Sequence, residues 1–226
     1  MKAVIQAGGK GTRLQPYTMV LPKPLMPVDD YPVIEILLKW LRQNDIEKIF
    51  VTTGHLGHLI RALCGDGSQW GMHIEYSEES EPLGTIGALR LLETELTDDA
   101  FLVLNGDVVT DLDLQKFEAF HRERGGLVTV AMTERNIKID LGVIHCKNQR
   151  IQGFEEKPTM KFNVSMGIYC MEPGALELIP KGIPFGFDNL MHAMLSRGLE
   201  INAYEHTGIW RDIGHLEDLT ASRRKV

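Results

Sequence analysis

Residues 8–28 read GGKGTRLQPYTMVLPKPLMPV and follow directly on the apolar run Ala3-Val4-Ile5. A strand ending in a glycine cluster, with one arginine and one lysine close behind, can wrap main-chain N–H groups around phosphates and add cations to them. The punctuation excludes two better-known phosphate loops. A Walker loop requires Ser or Thr after Gly-Lys, and here Gly9-Lys10 is followed by Gly11. A dinucleotide fingerprint requires a third glycine where Leu14 stands, and Pro16, Pro22, Pro24 and Pro27 forbid the helix that would begin there. The stretch is expected to be an extended loop stiffened by proline.

On either side of this loop, helical and strand patterns alternate. Residues 2–7 read as a buried strand. Ile34, Leu37, Leu38 and Leu41 fall on one helical face. Strands are expected over 48–52, 73–76 and 101–104, with helices over 56–64, 85–96 and 114–122. Such alternation builds βαβ units and a Rossmann-like, doubly wound, mostly parallel sheet. The second half is β-rich over 128–133, 141–146, 150–154 and 164–170, which extends or covers the sheet and supplies a lid over the substrate. Helices near 173–179, 187–197 and 215–224 close the fold. No repeat, low-complexity stretch or linker interrupts residues 1–226, so a single α/β domain is expected.

Composition narrows the function classes. The 226 residues suffice for one substantial core, and 43% hydrophobic with 24% charged residues is ordinary for a globular protein. A net charge of −7 and the lack of a dense basic run argue against a nucleic-acid surface. The tail Arg223-Arg224-Lys225 reads as a helix end that favours cations. Cys64, Cys146 and Cys170 lack metal-ligand spacing and fit free thiols in a reducing compartment. No stretch approaches the ~20 apolar residues of a membrane span. A cytoplasmic protein is expected.

The loop resembles the signature of the sugar-1-phosphate nucleotidyltransferases. Further resemblances follow in order: EPLGTIGAL at 81–89, LNGD at 104–107, EKP at 156–158 and WRDIG at 210–214. Together they reach across nearly the whole chain, and the sharpest likeness is to the mannose-1-phosphate guanylyltransferase branch. Many members carry a left-handed β-helix after this unit, and a chain ending shortly past WRDIG is expected to have none. The resemblance implies in-line attack of a sugar-phosphate oxygen on the α-phosphorus of a nucleoside triphosphate, expelling pyrophosphate. A phosphate monoester is already close to a dianion at pH 7, with a second pKa of about 6, so the nucleophile needs no general base. What it needs is relief from repulsion, and catalysis then becomes positioning plus cationic stabilisation.

The resemblance assigns roles on that basis. Arg13, whose planar fork grips two oxygens at once, would meet the β and γ phosphates. Lys23, fixed between Pro22 and Pro24, would lie between the triphosphate and the incoming sugar phosphate. Lys10 sits in a variable position of the loop and can equally be solvated. Asp107, beyond an apolar strand, and Asp212, from the far end of the chain, would be the ligands of Mg²⁺. Asp111 and Asp113 are nearby rivals, one of which can cap the next helix. Gln6, Ala7, Gly8, Gly9, Gly11, Thr12, Pro82, Gly84, Thr85 and Asn105 would surround the nucleotide. Gly84 and Thr85 are small enough for a base to approach the main chain, and Thr85 would also open its helix as N-cap. Relatives usually have an apolar residue at position 6, so Gln6 would add a polar contact near the base. On the sugar side, Glu156 would accept from hydroxyls, Lys157 would bind the sugar's phosphate, and Gly142 and Ser165 would line the pocket. Ser165 replaces a commoner asparagine. The eight histidines show no ligand spacing.

Other readings remain open in the sequence. Uridylyl-, thymidylyl- or cytidylyltransferases for other sugar phosphates share these motifs, because base choice rests on a few hydrogen bonds. A glycosyltransferase of similar fold would carry a D-x-D motif, of which Asn105-Gly106-Asp107 is only half. A silent nucleotide-sugar-binding subunit would have no physical reason to keep Arg13, Lys23, Asp107, Lys157 and Asp212 together. A homodimer is compatible with the family, with no interface legible in the sequence.

Overall fold

The computed structural model describes residues 1–213. The helix expected near 215–224, the basic tail and Gly214 of WRDIG lie outside them. The first half runs β1 (Lys2–Ala7), β2 (Pro27–Val28), β3 (Tyr31–Pro32), α1 (Val33–Gln43), β4 (Lys48–Thr53), α2 (Gly57–Cys64), β5 (His73–Glu78), α3 (Gly84–Gly87), β6 (Phe101–Asn105) and β7 (Val108–Thr110). It continues with α4 (Leu114–Arg124), β8 (Val128–Lys138), β9 (Gly142–Lys147), β10 (Arg150–Glu156), β11 (Thr159–Met171), α5 (Phe187–Ser196), β12 (Ile201–Glu205) and β13 (Trp210–Asp212). Among the described residues no helix is long and apolar enough to cross a membrane.

Seven strands form the main sheet in the order β12-β8-β11-β6-β1-β4-β5. β1 pairs in parallel with both β4 and β6, β4 with β5, and β8 with β12, whereas β11 runs antiparallel between β6 and β8. The sheet is thus mixed and mostly parallel, as the alternation predicts. Side chains alternate across β1, and both faces are covered. Ala3, Ile5 and Ala7 pack with α1, α2 and α4 through residues such as Leu38, Ile60 and Phe117. Val4 packs on the other face with Ile86, Leu89, Leu176 and Met194. Two-sided burial explains why β1, β4 and β6 read as continuous apolar runs. Because the chain leaves β1 toward neighbours on opposite sides, its C-terminal edge is the topological switch point, where open α/β sheets bind ligands.

Several elements differ from the sequence expectation. The loop over 8–28 is not simply extended, because short 3₁₀ turns occupy Thr12–Leu14, Tyr17–Met19 and Lys23–Leu25. Prolines that exclude an α-helix tolerate a single tight turn. The helix expected over 85–96 is one α-turn followed by a 3₁₀ stretch, Ala88–Leu92. Ile86, Leu89 and Leu92 are buried at a spacing of three, which matches three residues per turn. The helix near 173–179 is likewise 3₁₀, over Pro173–Leu178. β12 and β13 are additional strands. Of the β-rich segments, β8 and β11 join the main sheet, while β9 and β10 form a separate two-stranded hairpin.

Candidate active site

The glycine loop leaves β1 and turns back on itself. Gly11 takes a left-handed conformation (φ 59°), and a Cβ there would lie 2.9 Å from Thr18 Cγ2, so the tight return requires glycine. Its carbonyl accepts from Leu14 N at 2.9 Å and from Thr18 Oγ1 at 2.8 Å. The fold-back leaves a concavity of about 160 Å³ lined by Gly11, Thr12, Arg13, Leu14 and Lys23. Arg13 and Thr12 are exposed on its rim, and Lys10 is solvated.

Lys23 is where the two ends of the chain meet. Pro22 and Pro24, both buried, hold its backbone. Its ammonium donates to Asp107 Oδ2 and, at 3.3 Å, to Asp212 Oδ1. Asp107 follows β6 in a turn, and Asp212 ends β13, whose antiparallel register with β7 sets Asp212 opposite Val108. A bond from Ile213 N to the Asp107 carbonyl, 3.2 Å, locks the pair. The side chains of Lys23, Asp107 and Asp212 are 14%, 11% and 32% exposed, so this is a largely desolvated triad. Burial pushes the Lys23 pKa down against the opposing pull of Asp212, and the Arg13 charge adds to the fall.

Two carboxylates converging on one cation form the donor set a hard divalent ion takes, with water and phosphate completing its shell. The pair therefore fits such an ion. Among the described residues no group of three or more His, Cys, Asp or Glu could hold a metal. The rivals are engaged elsewhere: Asp113 caps α4 by accepting from Lys116 N, and Asp111 accepts from Ile209 N at 2.7 Å.

Gly106 shows how closely these segments approach. Its N–H donates to the Gln6 carbonyl at 2.9 Å, and a Cβ would meet that same oxygen at 2.9 Å and Pro24 Cγ at 3.0 Å. Gly106→Ala is expected to lower stability by about 1–3 kcal/mol, because backbone and a proline ring must give way. Chemical denaturation of the two proteins measures it, and an unchanged midpoint would contradict the close packing.

Among the residues expected to face the base, Gln6 Nε2 donates to the Thr85 carbonyl, while Gln6 Oε1 is buried without a partner. Thr85 does not cap its own helix, whose N-cap is Leu83. Its hydroxyl accepts from Phe187 N at 3.0 Å and so caps α5 instead. The space beside Gly84 (φ 76°) is filled by the main chain of Phe185, 2.9 Å from a would-be Cβ, rather than left open for a base. Pro82 is exposed, Ala7 is buried, and Gly8 and Gly9 bridge to the loop. Asn105 lies against Gly167, whose left-handed φ of 72° and contact with the Asn105 amide both require glycine. A residue not singled out from the sequence joins this group. Glu79 Oε2 accepts from Leu83 N at 2.8 Å, and its Oε1 lies where a Cβ on Gly8 would collide. Burial pushes the Glu79 pKa up.

The four residues expected on the sugar side lie on the antiparallel half. Gly142 on β9 faces Glu156 on β10 in register, and Phe154 covers Gly142 so closely that a Cβ would meet its ring at 2.7 Å. Lys157 adopts φ 48° after β10 and pairs with Asp140 at 3.1 Å. Ser165 sits at the irregularity where β11 shifts register against β8, and its Oγ contacts Tyr169 OH at 3.3 Å.

A glycine loop and a lysine–dicarboxylate centre thus lie together at the switch point of a doubly wound sheet, the edge at which open α/β sheets bind ligands. The family model described as "Nucleotidyl transferase" matches residues 2–226, and the chain belongs to that family, among its sugar-1-phosphate nucleotidyltransferases. It is similar to the UTP–glucose-1-phosphate uridylyltransferase of Synechocystis sp., 34% identical over 100% of this chain and 63% of that protein. It is also similar to the mannose-1-phosphate guanylyltransferase of Mycobacterium tuberculosis, 34% identical over 96% of this chain and 62% of that protein. The chain thus spans a little under two thirds of the length of these relatives. In fold it matches HddC of Yersinia pseudotuberculosis, crystallised with GMP-PN, at a TM-score of 0.78 and 22% identity over 98% of this chain and 97% of that one.

Proposed function

We propose that the chain joins a nucleoside triphosphate, GTP by preference, to a sugar 1-phosphate of the mannose 1-phosphate type. A sugar-phosphate oxygen forms a bond to the α-phosphorus, the bond from that phosphorus to the β-phosphate bridge breaks, and pyrophosphate leaves. The observation that carries this reading is the Lys23 ammonium held by Asp107 and Asp212 beside the Arg13 concavity. Such a centre suits a reaction whose barrier is anion–anion repulsion.

In this reading Arg13 and the Gly11 turn hold the leaving pyrophosphate. Lys23 lies between donor and acceptor phosphates and screens one from the other. Asp107 and Asp212 would hold Mg²⁺, which when bound neutralises phosphate oxygens. Glu156 and Gly142 orient sugar hydroxyls, and Lys157 releases Asp140 to bind the sugar's phosphate. No group acts as general base, because the attacking phosphate arrives deprotonated. The three free cysteines support a reducing, cytoplasmic setting. A homodimer is compatible with the proposal and plays no part in the chemistry.

The relative of Mycobacterium tuberculosis supports guanylyl transfer, and the Synechocystis relative keeps uridylyl transfer as the second reading. A panel of GTP, UTP, CTP, dTTP and ATP against several sugar 1-phosphates with Mg²⁺, read as pyrophosphate release, tests both. Turnover of one pair supports the reading; release with none would favour a silent binding subunit. Lys157→Ala is expected to raise the sugar-phosphate KM about tenfold to a hundredfold, the worth of one charge-assisted hydrogen bond, with the nucleotide KM little changed. Equal effects on both would remove Lys157 from the acceptor side.

A further inference from the structure

We infer that the chain pairs with a second copy of itself through the β9–β10 hairpin, the apolar face of one hairpin stacking antiparallel on that of the other about a two-fold axis. Packing and charge carry this contact, and it holds whatever reaction the chain performs.

The hairpin is built with one apolar face. Asn148 and Gln149 both take left-handed φ, 49° and 62°, the two-residue turn that suits right-twisted strands, and Lys147 stands opposite Arg150 across it. The next pair is Cys146 and Ile151. A register shift follows between Ile151 and Gly153, and the extra residue brings Phe154 opposite Ile144. Without that bulge Phe154 would stand opposite Val143, on the other face. Residues directly opposite share a face, so Ile144, Cys146, Ile151 and Phe154 gather on one side. The other side is mostly polar, with Lys147, Arg150, His145 and Glu155, and His145 Nε2 lies 2.7 Å from Glu155 Oε1.

An antiparallel sheet with one apolar face packs that face on a core. Among the described residues nothing covers this one. Ile144, Ile151 and Phe154 stay 53%, 67% and 60% exposed, and Cys146 is exposed beside them. Together the four leave roughly 400 Å² of apolar surface open, the size at which a patch on a soluble protein commonly marks a contact site. The hairpin has no third strand, and a two-stranded unit gains little stability alone. A second layer on its apolar face supplies what is missing.

Charge selects a copy of the same chain as that layer. The tip of the hairpin is basic, with Lys147 and Arg150 flanking the turn. Its base is acidic: Glu155 and Glu156 end β10, while Lys157 is matched by Asp140 at 3.1 Å. Antiparallel stacking sets each basic tip over the acidic base of the other copy, whereas parallel stacking would oppose like charges. The patch is therefore self-complementary, as a two-fold contact requires. Stacked sheets lie about 10 Å apart, which sets Cys146 near its counterpart across the axis. Two patches with their charged rims bury about 1,200 Å² in total, the low end of specific interfaces, so the dimer is expected to be weak.

Sedimentation of the intact chain over a wide concentration range tests this. A monomer–dimer equilibrium is expected, with a Kd of about 10–100 µM. Ile151→Glu, at an exposed position, is expected to raise that Kd at least about tenfold with the melting temperature unchanged. The orientation has its own test. Lys147→Glu with Arg150→Glu in one chain, and Glu155→Lys with Glu156→Lys in another, are each expected to weaken self-association. Mixed in equal amounts, the two should associate again, because every reversed tip then meets a reversed base. A short bismaleimide should link two wild-type copies through Cys146, since Cys64 and Cys170 are buried, and Cys146→Ser should prevent it. A monomer throughout would leave this face to another segment or partner and overturns the inference. So does a dimer indifferent to Ile151→Glu, a reversed pair that fails to recover on mixing, or a dimer that Cys146 does not link. No readout here involves turnover, so pyrophosphate release stands or falls separately.

Discussion

Asp107→Asn is expected to abolish turnover, with kcat falling about a thousandfold or more, some 4 kcal/mol of lost transition-state stabilisation. The fold is expected to survive. The Asp107 backbone carbonyl still accepts from Ile213 N, and the asparagine is the same size. In the proposed site, what disappears is one of two anionic oxygen donors for the divalent ion. The loss is expected to be eased but not reversed by raising Mg²⁺, and Asp212→Asn should behave alike with a smaller loss, because Asp212 is more exposed. Near-normal kcat at ordinary Mg²⁺ for Asp107→Asn would remove this residue from the metal site.

Lys23→Met is the second large effect, and it is double. On the proposed mechanism, donor and acceptor phosphates would face each other unscreened without the ammonium, and kcat/KM is expected to fall about a hundredfold to a thousandfold. The same change leaves two carboxylates together in a site where Lys23 and Asp107 are 14% and 11% exposed. Breaking a buried pair from one side costs about 3–5 kcal/mol, and the 32% exposure of Asp212 brings the expected loss of stability to the lower end of that range. In the proposed site a divalent ion would replace the missing charge. Mg²⁺ should therefore raise the melting temperature of Lys23→Met more than that of the wild type, which thermal denaturation across a Mg²⁺ titration measures. Equal responses would mean that the ion and the ammonium do not share the carboxylates.

The sequence carried the architecture where burial is two-sided. Val4-Ile5 and Phe101 to Leu104 are apolar on consecutive positions because helices cover both faces of their strands, and that pattern has one reading. β12 escaped notice because Ile201 to Glu205 is a half-exposed edge strand with a mixed pattern. The stretch 84–92 misled because spacings of three and of three or four look alike over so few turns. At the site, Lys23, Asp107 and Asp212 were separable in sequence only through a family resemblance. Nothing local says that residues 23, 107 and 212 share one ion pair; the β7–β13 ribbon does that, and pairing between distant strands leaves no local signal. Glu79 was illegible for a different reason. In the run Glu78-Glu79-Ser80-Glu81 it looks like solvated acid, and only its contact with Gly8 and Leu83 separates it from its neighbours.

In the proposed reaction, fixed positive charge and a carboxylate-held ion bring two phosphate groups together at this edge of the sheet. A crystal structure with a non-hydrolysable GTP analogue and Mg²⁺ puts that proposal to the test. Terminal phosphates are expected on Arg13 and the Gly11 turn, the α-phosphate beside Lys23, and the ion on Asp107 and Asp212. Phosphates bound away from Arg13, with no ion on the two carboxylates, would contradict it.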